Sequence, residues 1–212
     1  LPIWEVAVLV LESKKEKLPK PQNQIDTVLS GEFGRLLVKY VNRNNRQKER
    51  GNLMNKIQEL VRYILNNYPY ADDLSKTRIT KLAYLSDWYN TKRDGKQITS
   101  IKWYFDHYGP YVTDVIGAAE RDEDIEISKT FSMFGSPKLL VTKKDQTKEL
   151  TVTGLSCSER ESVDKVIEET KHLNFNEFID FVYSTYPIVN TEKYNFLELS
   201  ELASQEKISK NS

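Results

Sequence analysis

The chain has 212 residues, enough to bury a sizeable core as one domain or as one domain with an appendage. Its 31 Lys and Arg residues balance 31 Asp and Glu residues, so the overall field that draws a chain to nucleic acid or to an anionic membrane is absent, although a local basic patch is compatible with this balance. One Cys and two His residues exclude an internal disulfide and a zinc ligand set of those residue types, and they favour a reducing cytoplasm.

Residues 1–51 are predicted to be an N-terminal extension and linker. The apolar run at residues 3–11 is interrupted by Glu5 and closed by Glu12, far short of the roughly 20 residues that a membrane span requires. Lysines follow this run instead of preceding it, which argues against a signal peptide. A candidate helix at residues 25–41 is followed by a polar run at residues 42–50, which has no apolar anchor and is predicted to be a linker.

Two helices are predicted after this linker. The first carries one apolar stripe and ends near Asn67 and Pro69; the stripe consists of Ile57, Leu60, Val61, Ile64, Leu65 and Tyr68. The second begins at Ser75, a good N-cap, and ends at Gly95. Its predicted buried residues are Ile79, Leu82, Ala83 and Tyr89.

A short extended segment comes next, because Ile101, Trp103 and Phe105 alternate with polar residues. It leads into Gly109 and Pro110, which are predicted to set the angle between this strand and a third helix while neighbouring side chains carry out recognition. Pro110 suits the first turn of that helix. The helix is predicted to carry Val112, Val115, Ile116 and Ala119.

A small antiparallel sheet or wing is predicted between Ile125 and Val152. Apolar and polar residues alternate there, and residues 135–137 and 144–146 offer turns; the apolar pairs are Ile125/Ile127, Phe131/Met133, Leu139/Val141 and Leu150/Val152. Helices resume around residues 163–167 and 175–182, a last one is predicted at residues 196–202, and the polar tail 204–212 is predicted to fray.

The predicted fold class is therefore mainly α (α+β), a compact multi-helix domain with a small antiparallel β-sheet or wing. Residues 52–190 are expected to form this domain. Residues 191–212 are expected to be a C-terminal helix and polar tail.

The sequence contains no recognisable catalytic set. Cys157 has only His107 and His172 as potential bases, and a Cys/His pair needs a spatial contact that sequence cannot show, so an unreactive Cys at a helix start is the favoured interpretation. The acidic run at residues 120–124 lacks the spaced glycine of a cation-binding loop, and it is interpreted as a solvated helix end. We expect no enzymatic activity, no metal and no cofactor.

Trp and Tyr are concentrated between Tyr84 and Tyr111, which predicts a binding surface. Large rings ordinarily belong to the core, but these cannot all point inward from one helix and one short strand. Rings near the surface are favoured anchors for a protein partner. Asp87 lies one helical turn after Tyr84, so its carboxylate either braces the Tyr108 loop or meets a basic residue of the partner, and its burial separates these roles.

Three blocks of this region together resemble the Panacea antitoxin family, also called SocA-like antitoxins. They are Lys81-Leu82-x-Tyr84-x-x-Asp87, Gly95-Lys96-Gln97-Ile98-Thr99, and Trp103-Tyr104-Phe105-x-His107-Tyr108-Gly109-Pro110-Tyr111-Val112. The resemblance extends more loosely from Met54 to about Ile188. It implies a mostly helical domain that neutralises a toxin encoded beside it by direct binding. The candidate toxin-binding or motif residues are Lys81, Tyr84, Asp87, Trp88, Trp103, Tyr104, His107, Tyr108, Gly109, Pro110 and Tyr111.

The resemblance also implies partners and an origin. The expected partner is a cognate protein toxin, whose identity does not follow from the antitoxin. One branch of the family looks like an adaptor that delivers its toxin to a Clp-type protease, and nothing in these residues decides whether this chain does so. Family members occur in prophages and mobile elements, which implies a bacterial or phage origin. The cysteine usage and the short apolar run instead carry the expectation of a cytoplasmic location without a membrane partner.

Residues 1–53 look like an addition to the family pattern, and two interpretations stay open. They are an accessory element that adapts the domain to its toxin or to DNA, or the gene start has been placed too early and Leu1 is a non-Met start codon read literally. The alternative function is a DNA-binding autorepressor or prophage accessory regulator. A helical domain with a wing can carry a reading helix, and the basic residues between 43 and 50 could touch phosphate, but the neutral overall charge counts against DNA binding.

Overall fold

A computed structural model describes residues 56–131 and 135–210 of the chain. The interpretations made for residues 1–51, including the linker at 42–50, lie outside these ranges, as does the predicted pairing position Met133. Helix α1 covers residues 56–67 and buries the predicted apolar stripe. A 3-10 turn, Ala71–Asp73, joins α1 to the long helix α2, Lys76–Asp94.

Both predicted ends of α2 are confirmed by its capping geometry. The Ser75 side chain accepts a hydrogen bond from the Arg78 amide, and Gly95 adopts φ 74° while its amide donates to the Thr91 carbonyl. Buried residues run almost without a break from Ile79 to Thr91, although Tyr89, predicted to be buried, is half-exposed. Helix α2 is therefore enclosed by the rest of the domain, and its buried polar residues need internal partners.

A hairpin follows α2, made of β1 (Tyr104–Asp106) and β2 (Gly109–Tyr111), with Phe105 opposite Pro110. The prediction that Pro110 opens a helix is wrong, because helix α3 is Asp114–Glu120. Phe105 makes its backbone hydrogen bonds outside the hairpin. Its N–H donates to the Asn195 carbonyl at 2.9 Å, and its carbonyl accepts from the Tyr194 N–H at 2.6 Å. Phe105 and Pro110 thus form a non-hydrogen-bonded pair, and the missing N–H of proline breaks no ladder bond.

The predicted small sheet is present as two antiparallel strands, β3 (Ile125–Phe131) and β4 (Pro137–Lys143). Leu150 and Val152 do not form the further strand that their alternation predicted. The side-chain amide of Asn66 exchanges hydrogen bonds with the backbone of Leu150, at 2.8 and 2.9 Å. The Asn66 side chain thus satisfies the N–H and the carbonyl of Leu150, which a neighbouring strand would otherwise have satisfied.

The C-terminal third is helical. Its elements are α4 (Cys157–Thr170), α5 (Phe175–Tyr183), α6 (Tyr186–Val189) and α7 (Leu199–Lys210), and capping boxes at Ser156 and Asn174 begin α4 and α5. Two predictions are wrong here, since α7 begins three residues later than predicted and residues 204–210 are helical instead of frayed. Lys207 and Lys210 in its last turn favour the helix through its dipole, and Lys210 also pairs with Glu206 at 2.7 Å.

These elements pack around α2, which contacts α3, α4, α7, β2 and β4. The described chain is mainly α with two small antiparallel sheets, which confirms the predicted fold class. Among the described residues, no helix combines the length and the apolar character that crossing a membrane would require.

Candidate functional site

The structure divides the predicted site residues into a buried and an exposed group. The buried group is Lys81, Tyr84, Asp87, Trp88, Trp103, Gly109 and Pro110. Tyr104 is half-buried, whereas His107, Tyr108 and Tyr111 are exposed, Tyr108 to 78%. The rings are thus shared between the core and the surface, and the exposed ones lie on or beside the β1–β2 hairpin.

Asp87 is the fully buried acceptor at which the three sequence blocks meet. Its carboxylate accepts hydrogen bonds from the Thr99 amide at 2.9 Å, the Thr99 hydroxyl at 2.5 Å and the Trp103 indole N–H at 2.9 Å. The Gln97 side-chain amide adds a longer bond of 3.3 Å. Burial raises the pKa of Asp87 to about 6, and these hydrogen bonds oppose the rise. Of the two roles considered for Asp87, its burial supports an internal brace, but the braced segment is residues 97–103 and not the Tyr108 loop that was predicted.

Tyr84 and Trp103 complete this internal brace. Their rings meet edge to face with centroids 5.5 Å apart, and both residues are fully buried. The Tyr84 hydroxyl and the Thr185 hydroxyl are 3.0 Å apart, which links α2 to the start of α6. Asp87, Tyr84 and Trp103 therefore fix the chain that leads from α2 into the hairpin.

Lys81 holds the turn of the hairpin through the backbone carbonyls of that turn. Its Nζ donates to the Tyr108 carbonyl at 2.8 Å and lies 3.5 Å from the Pro110 carbonyl, and burial lowers the pKa of Lys81 to about 8. Gly109 lies between those carbonyls with φ 90°. A Cβ at this position would lie 3.1 Å from Lys81 Nζ and 3.2 Å from Tyr183 Cε2, so the turn needs glycine for its conformation and for its close neighbours.

A cluster of rings, which we call the aromatic face, covers the hairpin and the segment hydrogen-bonded to it, and all of its members except the half-buried Tyr104 are exposed. It consists of Tyr104, His107, Tyr108, Tyr194 and Phe196. The Tyr104 and Phe196 rings are 5.3 Å apart, the His107 and Tyr108 rings are 4.6 Å apart, and the Tyr194 hydroxyl is 3.5 Å from His107 Nδ1. Tyr194 and Phe196 are each 57% exposed. A contiguous set of exposed rings is typical of an interaction surface.

Sequence reasoning missed Tyr194 and Phe196. They follow the hairpin by more than eighty positions, and no local pattern connects the two segments. Tyr194 is also the one non-glycine residue with positive φ in the described chain, at 69°. This conformation is costly for a bulky side chain, and it is held by the bond from the Tyr194 amide to the Phe105 carbonyl.

A cavity of about 340 Å³, which we call the Lys81 pocket, opens beside the aromatic face. Residues of α2, the hairpin and α5 line it: Lys76, Thr77, Thr80, Lys81, Tyr108, Pro110, Tyr111, Phe175, Ile179 and Tyr183. The lining is mostly aromatic and aliphatic, with two lysines and two threonines. Such a mixture of apolar walls and few polar groups suits a bound side chain or small ligand.

The candidate nucleophile and the candidate metal ligands can be placed within the described residues. No group of three or more His, Cys, Asp or Glu side chains there is placed to hold a metal ion. Cys157 occupies the first position of α4, which confirms the predicted helix start, and its side chain is exposed. The acidic run is not simply a solvated helix end, because Asp122 is 95% buried and accepts two hydrogen bonds from the Arg62 guanidinium at 2.6 and 2.8 Å.

Comparison with known proteins gives one positive result. Residues 79–187 match the family model described as antitoxin SocA-like, Panacea domain. No curated protein and no solved structure matches the chain. The match covers more than half of the chain and contains the three blocks that meet at Asp87 and Lys81, whereas Tyr194 and Phe196 lie beyond it. The chain belongs to the SocA-like antitoxin family, whose members carry the Panacea domain.

Proposed function

We propose that this protein neutralises a toxin encoded beside it by binding that toxin directly, and that the aromatic face makes the contact. The observation that carries the proposal is the exposure of three large rings, Tyr108, Tyr194 and Phe196, on one small hairpin assembly. Tyr side chains bury much area at little entropic cost, and they are frequent hot spots of protein interfaces. In the cell this binding takes place in the cytoplasm of a bacterium.

The backbone of Tyr194 supports the same surface. A tyrosine at φ 69° is less stable than a glycine in that conformation, so folding alone does not favour tyrosine at this position. A ring kept exposed in spite of that cost is consistent with a contact made outside the chain. Tyr194 and Phe196 lie outside the matched residues 79–187, which suits positions that adapt a shared domain to one toxin.

The experiment is co-expression with the adjacent toxic open reading frame. The wild-type chain is expected to restore growth and to co-purify with the toxin. Changing Tyr108 and Phe196 together to alanine should weaken the toxin complex by at least about tenfold, because each is an exposed ring of the kind that anchors interfaces. The matched control is Phe131→Ala, which removes an exposed ring (72%) from the other sheet.

Three results would contradict the proposal. The first is a failure of the wild-type chain to rescue growth from any adjacent toxic gene. The second is a double variant with unchanged melting temperature that binds and rescues as well as wild type. The third is an equal loss of toxin affinity in Phe131→Ala and in the double variant, because the aromatic face would then have no special role in toxin binding.

Two finer roles remain separate proposals. Delivery of the toxin to a Clp-type protease rests on the family resemblance, and it predicts a shorter toxin half-life when the antitoxin and the protease are both present. The autorepressor rests on the β3–β4 wing and on basic residues that lie outside the described chain. It predicts a salt-sensitive mobility shift of the protein's own promoter DNA.

A further inference from the structure

The Lys81 pocket combines apolar walls with cations that have no acidic neighbour in its lining. Its lining contains Lys76 and Lys81 but no Asp or Glu. Lys76 lies over the Tyr111 ring, with Nζ 5.8 Å from the centroid. An ammonium group has three N–H donors, and Lys81 has one short bond, to the Tyr108 carbonyl, and one long approach to the Pro110 carbonyl. Lys81 therefore has capacity to bind a further acceptor.

Thr80 adds a second polar group without a partner. Thr80 is 98% buried. Among the buried side-chain oxygen and nitrogen atoms of the described residues, its Oγ1 alone has no hydrogen-bond partner. The buried hydroxyls of Ser86, Thr91 and Thr170 each donate to the carbonyl one turn earlier, at 2.6–2.8 Å. Thr80 makes no such bond. A buried hydroxyl that lacks a hydrogen bond is unfavourable until a bound molecule supplies a donor or an acceptor for it.

These features define the chemistry of an occupant. The walls of Tyr111, Phe175, Ile179 and Tyr183 favour a large apolar group, and a volume of about 340 Å³ is enough for one aromatic or long aliphatic side chain. The two ammonium groups favour a carboxylate, because a buried cation is stabilised most by an opposite charge held at hydrogen-bonding distance. Nucleic acid would instead require phosphate-binding cations spread along an open surface.

We propose that the Lys81 pocket receives an aromatic or large aliphatic side chain of the bound toxin together with a carboxylate of the toxin next to that side chain. The carboxylate lies at Lys81 and Lys76, and the apolar side chain fills the space against Tyr111, Phe175 and Ile179. Thr80 lines the same pocket and offers its unpartnered hydroxyl as a further donor to the occupant. This inference rests on the proposed function, and it adds a chemical class to the segment of toxin that is recognised.

Blocking the pocket tests the inference on the toxin complex. Thr77 is exposed on the pocket wall, so Thr77→Trp fills the cavity without touching the core, and Thr77→Ala is its matched control. We expect toxin affinity to fall at least about tenfold in Thr77→Trp, and to fall several times less in Thr77→Ala, which shortens one lining side chain but leaves the cavity open. Thr80→Val keeps the side-chain shape and removes the unpartnered hydroxyl. It should raise or preserve the melting temperature while weakening toxin binding about threefold or more.

A small probe tests the pocket without any toxin. The full chain is titrated with 3-phenylpropionate and with the neutral 3-phenylpropanamide, and binding is followed by ligand-observed NMR. The acid is expected to bind at millimolar concentration and at least about threefold more tightly than the amide, because the ammonium groups favour the charged ligand. Thr77→Trp should abolish the binding of both probes.

The outcomes distinguish this inference from the proposed function. If wild type binds no toxin, the proposed function fails. The probe titration alone then decides whether the Lys81 pocket binds an apolar carboxylate. If Thr77→Trp binds toxin as tightly as Thr77→Ala, the toxin does not use the pocket and the inference is overturned. Equal binding of acid and amide, or no binding of either, overturns the carboxylate assignment.

Discussion

Replacing Asp87 removes the acceptor shared by several buried donors, and its cost can be worked out from the structure. In Asp87→Ala the Thr99 amide and the Trp103 indole lose their partner, whereas Gln97 keeps a bond of 2.9 Å to the Ile101 carbonyl. Each buried donor left unsatisfied costs about 1–3 kcal/mol. With two such donors, we expect the free energy of unfolding to fall by about 2–6 kcal/mol and the melting temperature by roughly 4–24 °C.

The charge of Asp87 adds a pH dependence with a definite sign. Its pKa rises from an ordinary 3.8 to about 6 in the folded protein, so between these values the folded state binds more protons than the unfolded state. The contribution of Asp87 to stability is therefore fully present below about pH 4 and is lost as the pH rises to about 6 and beyond. About two pKa units correspond to about 3 kcal/mol.

The assay is urea unfolding of wild type, Asp87→Ala and Asp87→Asn between pH 4 and pH 7, followed by Trp fluorescence. The asparagine cannot titrate, so the difference in unfolding free energy between wild type and Asp87→Asn should shrink by about 3 kcal/mol as the pH rises. Asp73→Asn, which removes one partner of a surface ion pair with Lys138, is the control for loss of a carboxylate and should lower the free energy of unfolding by less than about 1 kcal/mol. A pH-independent difference, or one that grows with pH, would refute the burial of this carboxylate.

Three further predictions concern the turn, the aromatic face and the buried ion pair. Gly109→Ala should lower the unfolding free energy by about 1–3 kcal/mol in urea titrations, because φ 90° and a Cβ 3.1 Å from Lys81 Nζ both oppose the side chain. Tyr194→Gly should change stability by less than about 1 kcal/mol, since relief of the positive φ offsets the added chain entropy, while toxin affinity measured by calorimetry falls. Arg62→Met should cost about 1–3 kcal/mol by leaving Asp122 without its cation, and a double-mutant cycle with Asp122→Asn should show coupling.

The parts of the fold that depend on neighbours in sequence could be predicted. Ser75 and Gly95 bound α2 through hydrogen bonds within four residues, and the alternation of residues 125–131 with a turn after it defines β3 and β4. The motif blocks were also visible, because their residues and spacing are local. Each of these features is determined by chain geometry over a few positions.

The parts that depend on distant partners could not be predicted. Pro110 has the dihedral preference of a helix start, but the hairpin bonds to Asn195 far along the chain and makes β2 a strand. Leu150 and Val152 show the alternation of a strand, yet the hydrogen bonds of the Leu150 backbone are made by the Asn66 side chain and not by a neighbouring strand. The burial of Asp87 and the exposure of Tyr194 follow from the same long-range packing, which a single sequence does not reveal.

The bond from Lys81 to the Tyr108 carbonyl has a consequence for binding kinetics. Because α2 holds the backbone of the turn in place before a partner arrives, the turn does not have to be ordered during association. The flanking rings then adjust by side-chain rotation, on a time scale of roughly picoseconds to nanoseconds, instead of by loop rearrangement. Association should accordingly follow a single exponential whose rate is linear in partner concentration, with differences between partners residing mainly in the dissociation rate.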